Sequence, residues 1–381
     1  MTVPQPSHPA DRPSGSSSPR FAPGFRPCVA IVGSTGAVGV EMISVLEQRR
    51  FPVGALRLFA SPRSAGSVQS FNNAPITVEA LSDTWHHASG NGPRVDIALL
   101  SAGSSISKQY APRAAADGVV VIDNSSAFRM DPGVALVVPE VNPAAMPPVG
   151  PSRGAIIANP NCSTIIFLVA VTPIHRALGI ERAVVSTYQA ASGAGAQAMA
   201  ELENQTRDVL AGKPAQPKIF HEPYAFNLFS HNSQIDPRTG LNVEETKMIL
   251  ETHKIWGDAS VRISATCVRV PVLRAHCESV NLTLRTPTTV AKLRELLSSA
   301  PGVRIIDDRA ANLHPTPLKA SGGDDVLVGR LRADPSQLPA DTDPAHADTT
   351  PTRGFDLFIA GDQLRKGAAQ NAVLLVALLL T

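Results

Sequence analysis

Aromatic side chains are scarce in this sequence, with 12 Phe, 3 Tyr and 2 Trp among 381 residues. Charge is nearly balanced: 34 basic against 32 acidic side chains leave a net +2. With no dense Lys/Arg run and few rings to stack on bases, the chain has no electrostatic footprint for nucleic acid. Cysteine is also rare, and Cys28, Cys162, Cys267 and Cys277 form no CxxC pair and no zinc spacing. Neither a disulfide framework nor a bound metal is expected, so a reducing compartment such as the cytoplasm is the default. No apolar run is long enough to span a bilayer. The longest, Ala372–Leu380, suits a packed C-terminal helix. Residues 1–26 are rich in Pro and Ser and lack the apolar segment of a secretory signal, so they read as a disordered tail.

The length allows two domains with substantial cores. From Cys28 short apolar runs alternate with helical stretches, the pattern of an α/β sheet with parallel strands. Strands are expected at Cys28–Val32, Leu56–Ala60, Val95–Leu100, Val119–Ile122 and Ala155–Ala158, with a helix from Ala37 to Gln48. Beyond residue 160 long alternating runs at Glu181–Gln189, Val261–Val270 and Glu278–Leu284 predict half-buried antiparallel strands. Helices are expected over Ala196–Leu210 and Val243–Ile255, a strand at Phe355–Ile359 and a closing helix over Gln363–Leu380. The Pro/Asp/Thr-rich stretch Arg332–Gly354 reads as an extended surface loop.

Two segments carry chemistry. Asn159-Pro160-Asn161-Cys162-Ser163-Thr164 precedes the apolar run Ile165–Val171, so a helix starts at or beside Cys162. Free N–H groups and the positive end of the helix dipole favour a thiolate there, the form that attacks carbon. A free cysteine is also commonly a small buried hydrophobe, and the segment alone leaves both readings open. The second segment is Gly33-Ser34-Thr35-Gly36-Ala37-Val38-Gly39, between the first strand and first helix. Glycines there allow a tight turn and close approach of backbone to a pyrophosphate. At the end of the second strand, where an NAD site places a carboxylate, stand Arg63 and Ser64, which suit the 2′-phosphate of NADP.

These segments, together with Asp123–Arg129, Thr187–Gly193, Glu244–Lys247, Cys267–Val272 through His276, and Gly361–Gly367, resemble the bacterial-type aspartate-semialdehyde dehydrogenases, in family order from about residue 27 onward. The resemblance implies NADPH-dependent reductive dephosphorylation of L-aspartyl 4-phosphate to the semialdehyde, in lysine, methionine and threonine synthesis. Cys162 would form the thioester, which divides one hard displacement into two steps. His276, seven residues after Arg269 across Pro271, would be the general acid/base; His221, His231 and His253 have no such support. Arg269 would bind the α-carboxylate, Glu244 the α-ammonium, and Arg129 with Lys247 the phosphate. Gln189 would hold the acyl group beside the cysteine. From pattern alone, Glu244 and Lys247 read equally as a solvated intrahelical ion pair. Ser192, Gly193 and Gln363 match cofactor contacts on the nicotinamide side.

The implied architecture is a Rossmann-like NADP-binding domain, residues 27–160 with 361–381, plus an α+β catalytic and dimerisation domain with a mostly antiparallel sheet, residues 161–360. A homodimer follows from the resemblance alone. The segment Phe226–His231 departs from the proline-containing version of many relatives, and the 332–354 stretch is longer than usual. Two rival readings are an N-acetylglutamyl-phosphate reductase and a catalytically inert dinucleotide sensor. The first usually carries Gly-Cys-Tyr at the nucleophile, and its acetylated substrate has no ammonium for Glu244. The second needs none of Cys162, His276, Arg269 or Arg129.

Overall fold

A computed structural model describes residues 21–22, 24–150 and 153–380. The first half of the chain contributes β1 (Cys28–Val32), α1 (Ala37–Gln48), β2 (Ala55–Ala60), β3 (Val68–Phe71), β4 (Ala74–Ala80), β5 (Ile97–Leu100), α2 (Ser104–Ala116), β6 (Val120–Asp123), β7 (Ala135–Leu136) and β8 (Ala155–Ala158). Its eight strands form one sheet in the order β3-β4-β2-β1-β5-β6-β8-β7. All pairings are parallel except the β3–β4 hairpin, which turns through Asn72 and Asn73 at φ 51° and 62°. Strand β1 is buried along its whole length, as a strand covered on both faces must be. The order reverses at β1, whose neighbours are β2 and β5, and ligands of such sheets bind at the carboxyl ends of strands beside that reversal.

The remainder contributes α3 (Cys162–Leu178), β9 (Ile180–Gln189), α4 (Ala196–Leu210), β10 (Phe229–Ser230), α5 (Val243–Trp256), β11 (Arg262–Arg269), β12 (His276–Thr288), α6 (Val290–Ser298), β13 (Val303–Ile305), α7 (Pro317–Ala320), β14 (Val326–Ala333), β15 (Thr352–Gly361) and α8 (Gln370–Leu380). Seven strands form the second sheet, β10-β11-β9-β12-β15-β14-β13. Four of its pairings are antiparallel, but β11 pairs with β9 in parallel, and so does β13 with β14. The antiparallel expectation for the 181–189 and 261–270 runs is corrected there. Alternation reports one buried face and says nothing about the direction of a neighbour.

Helix α3 lies against the inner face of the second sheet. Ile165 through Ala170, all 2% exposed or less, pack on Ala183, Val185, Val280, Leu282 and Ile359. Burying a side chain of this size contributes roughly 1.5–3 kcal/mol, so the helix that begins at Cys162 is firmly seated. Helix α8 returns to the first sheet, where Ala372, Val373, Leu375 and Val376 join Val29, Ile31, Val45 and Leu46 in one core. The single closing helix expected from Gln363 is broken by a π-helical turn, Arg365–Ala369. The 332–354 stretch is pinned down as well: two short 3-10 turns interrupt it, and Asn281 binds Asp334 at 2.8 Å and Asp356 at 2.9 Å. The tail expected over 1–26 lies largely outside the described residues. Phe21, however, is 3% exposed and stacks on Phe25 at 5.0 Å, so packing reaches back before residue 27. Among the described residues no helix is long and apolar enough to cross a membrane.

Candidate active site

Asn161 sets the position of the cysteine. As N-cap of α3 its Oδ1 accepts the N–H groups of Ser163 at 3.0 Å and Thr164 at 3.2 Å, satisfying donors the first turn leaves open. Cys162 is thus the first residue of the helix, half-buried on the wall of a cavity of about 290 Å³. The expected resting thiolate is corrected by this environment. Burial pushes the Cys162 thiol up to about 12, Glu244 adds to the rise, and Arg269, Arg129 and Lys247 oppose it only in part. Desolvation favours the neutral thiol, against the helix terminus, which favours the charged form.

Strands β11 and β9 end side by side, with Arg269 opposite Gln189, and β12 starts next to them at His276. His276 is fully buried and stands behind Gly193, where a Cβ would come within 3.0 Å of its Nε2 and of Arg269 Nη1. Its Nδ1 accepts the backbone N–H of Ala190 at 3.0 Å, while Nε2 has no partner among the described residues. Burial, with Arg269 next in weight, pulls the imidazole down to about 3, so it is neutral. The residue before it, Ala275, has φ 73°, a conformation a side chain adopts only when its surroundings enforce it. Gln363 does so: its Oε1 accepts the Ala275 N–H at 2.9 Å and its Nε2 donates to Ser192 Oγ. Gln189 directs its Nε2 to Ser163 Oγ at 3.1 Å and Thr187 Oγ1 at 3.3 Å.

Arg269 is 3% exposed and bound wholly to uncharged acceptors. Nε donates to Asn232 Oδ1 at 3.1 Å, Nη1 to the Ala190 carbonyl at 3.1 Å and Nη2 to His231 Nε2 at 2.8 Å, and the guanidinium lies 5.7 Å from the Phe220 ring. Among the described residues it has no carboxylate partner. The other two cations are compensated. Arg129 pairs with Glu251 at 3.0 Å and Lys247 with Glu244 at 3.1 Å. Glu244 also accepts from Asn161 Nδ2 at 2.6 Å; burial raises its carboxyl, but Lys247, His231 and Asn161 together hold it down at about 2.

On the nucleotide side, Gly33 has φ 88° and a Cβ there would meet the Ser101 carbonyl at 2.7 Å, so the turn requires glycine. Gly36 caps α1 without a side-chain bond, and among the described residues the first helical N–H groups of Ala37 and Val38 have no partner, as a phosphate site requires. Ser34 is buried, its Oγ without a partner among the described residues, and Thr35 is exposed in the same turn. These features fit a dinucleotide. Val38, Ser192, Gly193 and Gln363 all reach the cysteine cavity. Arg63 is exposed and Ser64 half-buried beyond the end of β2, away from that cavity wall.

Three residues on or near this wall escaped sequence reasoning. His231 belongs to no motif, yet β10 pairs with β11 and carries it to Arg269. Glu251 lies seven residues after Glu244, two helical turns, a spacing that does put both on one face of α5. Gly367, in the π-helical turn, abuts the nucleophile: a Cβ would stand 2.8 Å from that of Cys162.

A family model for the semialdehyde dehydrogenase NAD-binding domain matches residues 28–147, and one for the semialdehyde dehydrogenase dimerisation domain matches 171–366. The sequence is 47% identical to the aspartate-semialdehyde dehydrogenase of Synechocystis sp., over 92% of this chain and 96% of that protein. The chain belongs to the aspartate-semialdehyde dehydrogenase family. The family member of Bacillus subtilis is 42% identical over 91% of this chain and 95% of its own. Among solved structures, aspartate semialdehyde dehydrogenase II of Vibrio cholerae, crystallised as a complex with ASA, superimposes with a TM-score of 0.83 at 42% identity, covering 93% of this chain and 98% of that one. A probable aspartate-semialdehyde dehydrogenase from Pseudomonas aeruginosa gives 0.80 at 27% identity, covering 94% and 99%. The fold, a Rossmann-like domain joined to a domain with a mostly antiparallel sheet, is that of the family, and the protein is an oxidoreductase with a nicotinamide-cofactor domain. Neither rival reading gains support from these relatives.

Proposed function

We propose that the protein converts L-aspartyl 4-phosphate to L-aspartate 4-semialdehyde with NADPH, through a thioester on Cys162. The observation that carries this reading is Arg269. A buried guanidinium bound only to neutral acceptors lacks the anion that would repay its desolvation, and a substrate carboxylate in the adjoining cavity supplies one. Glu244, held ionised, offers a counter-charge to the substrate ammonium, which an acetylated substrate does not have.

In the first step the Cys162 thiol adds to the acyl carbon, the bond from that carbon to the phosphate oxygen breaks, and the thiol proton leaves with the phosphate as hydrogen phosphate. Arg129 and Lys247 carry the departing charge. His276, with Nδ1 engaged by Ala190, carries its proton on Nε2 and is the hydrogen-bond donor assigned to the acyl oxygen, which it stabilises while keeping that proton. Gln189 lines the same cavity and keeps the acyl group beside the sulfur. Gly33, Ser34, Thr35, Gly36, Ala37 and Val38 with Ser192, Gly193 and Gln363 would hold NADPH, which would supply the hydride; the bond from the acyl carbon to Cys162 sulfur then breaks, and the released thiolate takes a proton from water. Arg63 and Ser64 are assigned to the 2′-phosphate. The same reading divides the chain into residues 27–160 with 361–381 for the cofactor and 161–360 for catalysis and dimerisation. It makes the protein a cytoplasmic homodimer serving lysine, methionine and threonine synthesis.

The test is the reverse reaction with L-aspartate semialdehyde, phosphate and NADP, followed by absorbance of the reduced nicotinamide. Turnover is expected. Turnover only with the acetylated glutamate analogue, or cofactor binding without turnover, overturns the reading in favour of one rival or the other.

A further inference from the structure

We infer that Glu251 is a positioning residue that holds the phosphate-binding Arg129 and the turn carrying Cys162 in one fixed register. The inference rests on the roles proposed above for those two residues.

Glu251 is 1% exposed, on the face of α5 that turns toward the start of α3. Its two oxygens do separate jobs. Oε1 accepts from Arg129 Nη1 at 3.0 Å, and Oε2 accepts the backbone N–H of Asn161 at 2.6 Å. Arg129 has no other ion partner among the described residues, since its Nε and Nη2 donate to the carbonyls of Asn159 at 2.9 Å and Asn124 at 3.0 Å. Asn161 is gripped from two sides by one helix, its N–H by Glu251 and its Nδ2 by Glu244 at 2.6 Å, while its Oδ1 caps α3. Moving Glu251 therefore moves both the cation and the helix turn that begins with Cys162.

The charge has a second consequence. Each cation assigned to the phosphate already shares a carboxylate, Arg129 with Glu251 and Lys247 with Glu244, whereas Arg269 shares none among the described residues. An attenuated pair of cations binds phosphate weakly enough to let it go after acylation, and the uncompensated Arg269 retains the acyl group for reduction. Burial pushes the Glu251 carboxyl up, and Arg129 and the Asn161 N–H counter by favouring its charged form.

The test compares wild type, Glu251→Gln and Glu251→Asp by two readouts. The first is protection of Cys162 from iodoacetamide by inorganic phosphate, which needs no turnover. The second is kcat and KM in the reverse reaction. For Glu251→Gln the protecting phosphate concentration is expected to fall about tenfold, the scale of one close charge pair. Its kcat should fall by about 100-fold as Cys162 and Arg129 lose register, with the semialdehyde KM within twofold of wild type. Glu251→Asp, which keeps the charge, should recover most of the kcat and the normal phosphate concentration. Unchanged phosphate protection in Glu251→Gln overturns the inference, as does an equal loss in both variants that tracks a lower Tm. Phosphate protection in a wild-type protein that shows no turnover sinks the proposed reaction and leaves this inference standing.

Discussion

The Ala190 backbone N–H points at Nδ1 of His276 from 3.0 Å, so the neutral ring carries its proton on Nε2. A ring in that tautomer directs Nε2–H to the side where Gly193 stands and has no lone pair there to take a proton. Alkylation of Cys162 by iodoacetamide should therefore follow a single high pKa, well above the ordinary thiol value of about 8.5, in wild type and in His276→Gln alike. The activity of His276→Ala should fall by about two to four decades, and Gln, which restores a donor, should recover part of it. A reactive plateau near neutral pH that disappears in His276→Gln would mean a resting thiolate–imidazolium pair and would defeat this assignment.

His231 accepts from Arg269 only while its Nε2 is unprotonated. Burial, followed by Arg269, pulls it from 6.5 to about 4. The unfolded chain thus binds the extra proton between those values, so this group's contribution to stability is complete above pH 6.5 and disappears as the pH falls toward 4. The amount is on the order of 3 kcal/mol. The Tm of His231→Gln should decline less than that of wild type between neutral pH and pH 4, and its semialdehyde KM should rise through a looser Arg269. Parallel Tm curves would show that His231 is not the group responsible.

Gly367→Ala places a methyl group 2.8 Å from Cys162 Cβ and 3.2 Å from its Cα. Neither backbone can yield far, because α3 is packed along its length, so the thiol must shift. A loss of about 100-fold in kcat is expected, with cofactor binding near normal. Wild-type kcat in this variant would contradict the packing described.

Arg63 makes no hydrogen bond or ion pair among the described residues, and its charge is free for a ligand. In Arg63→Ser, kcat/KM with NADP should drop by about tenfold or more while the value with NAD and the Tm stay put. Equal kcat/KM for the two cofactors in wild type would remove the assignment.

Where a segment's own chemistry dictated its structure, the sequence was readable. The Gly33–Gly39 turn, the start of α3 at Cys162, and β8, α4 and β12 follow from glycine, cap residues and period. The β3–β4 hairpin was not, because Val68 and much of β4 are exposed and the pattern shows no continuous apolar face. Helix α2 was hidden by its low apolar content and by Pro112. At the site, Arg129, Cys162, Gln189, Glu244, Lys247 and Arg269 line one cavity while Arg63 and Ser64 do not, and groups that act from a distance in sequence carry no local signal. Nothing local to His231 announces Arg269, 38 residues away. The tautomer of His276 depends on a main-chain donor that no side-chain pattern can reveal. The reversal of the Cys162 expectation has the same origin, since burial is a property of the assembled cavity and not of the helix start.

The π-helical turn gives the order of synthesis a bearing on reactivity. Gly367 closes against Cys162, Lys366 is fully buried against Glu140 at 2.5 Å, and Arg365 bridges Glu41 at 2.9 Å and Asp324 at 2.6 Å. Every one of those partners is translated earlier than the turn itself. A growing polypeptide consequently exposes its nucleophile unwalled until residues 365–380 have been made, and a chain cut before Arg365 leaves the first sheet without α8 and the thiol without that wall.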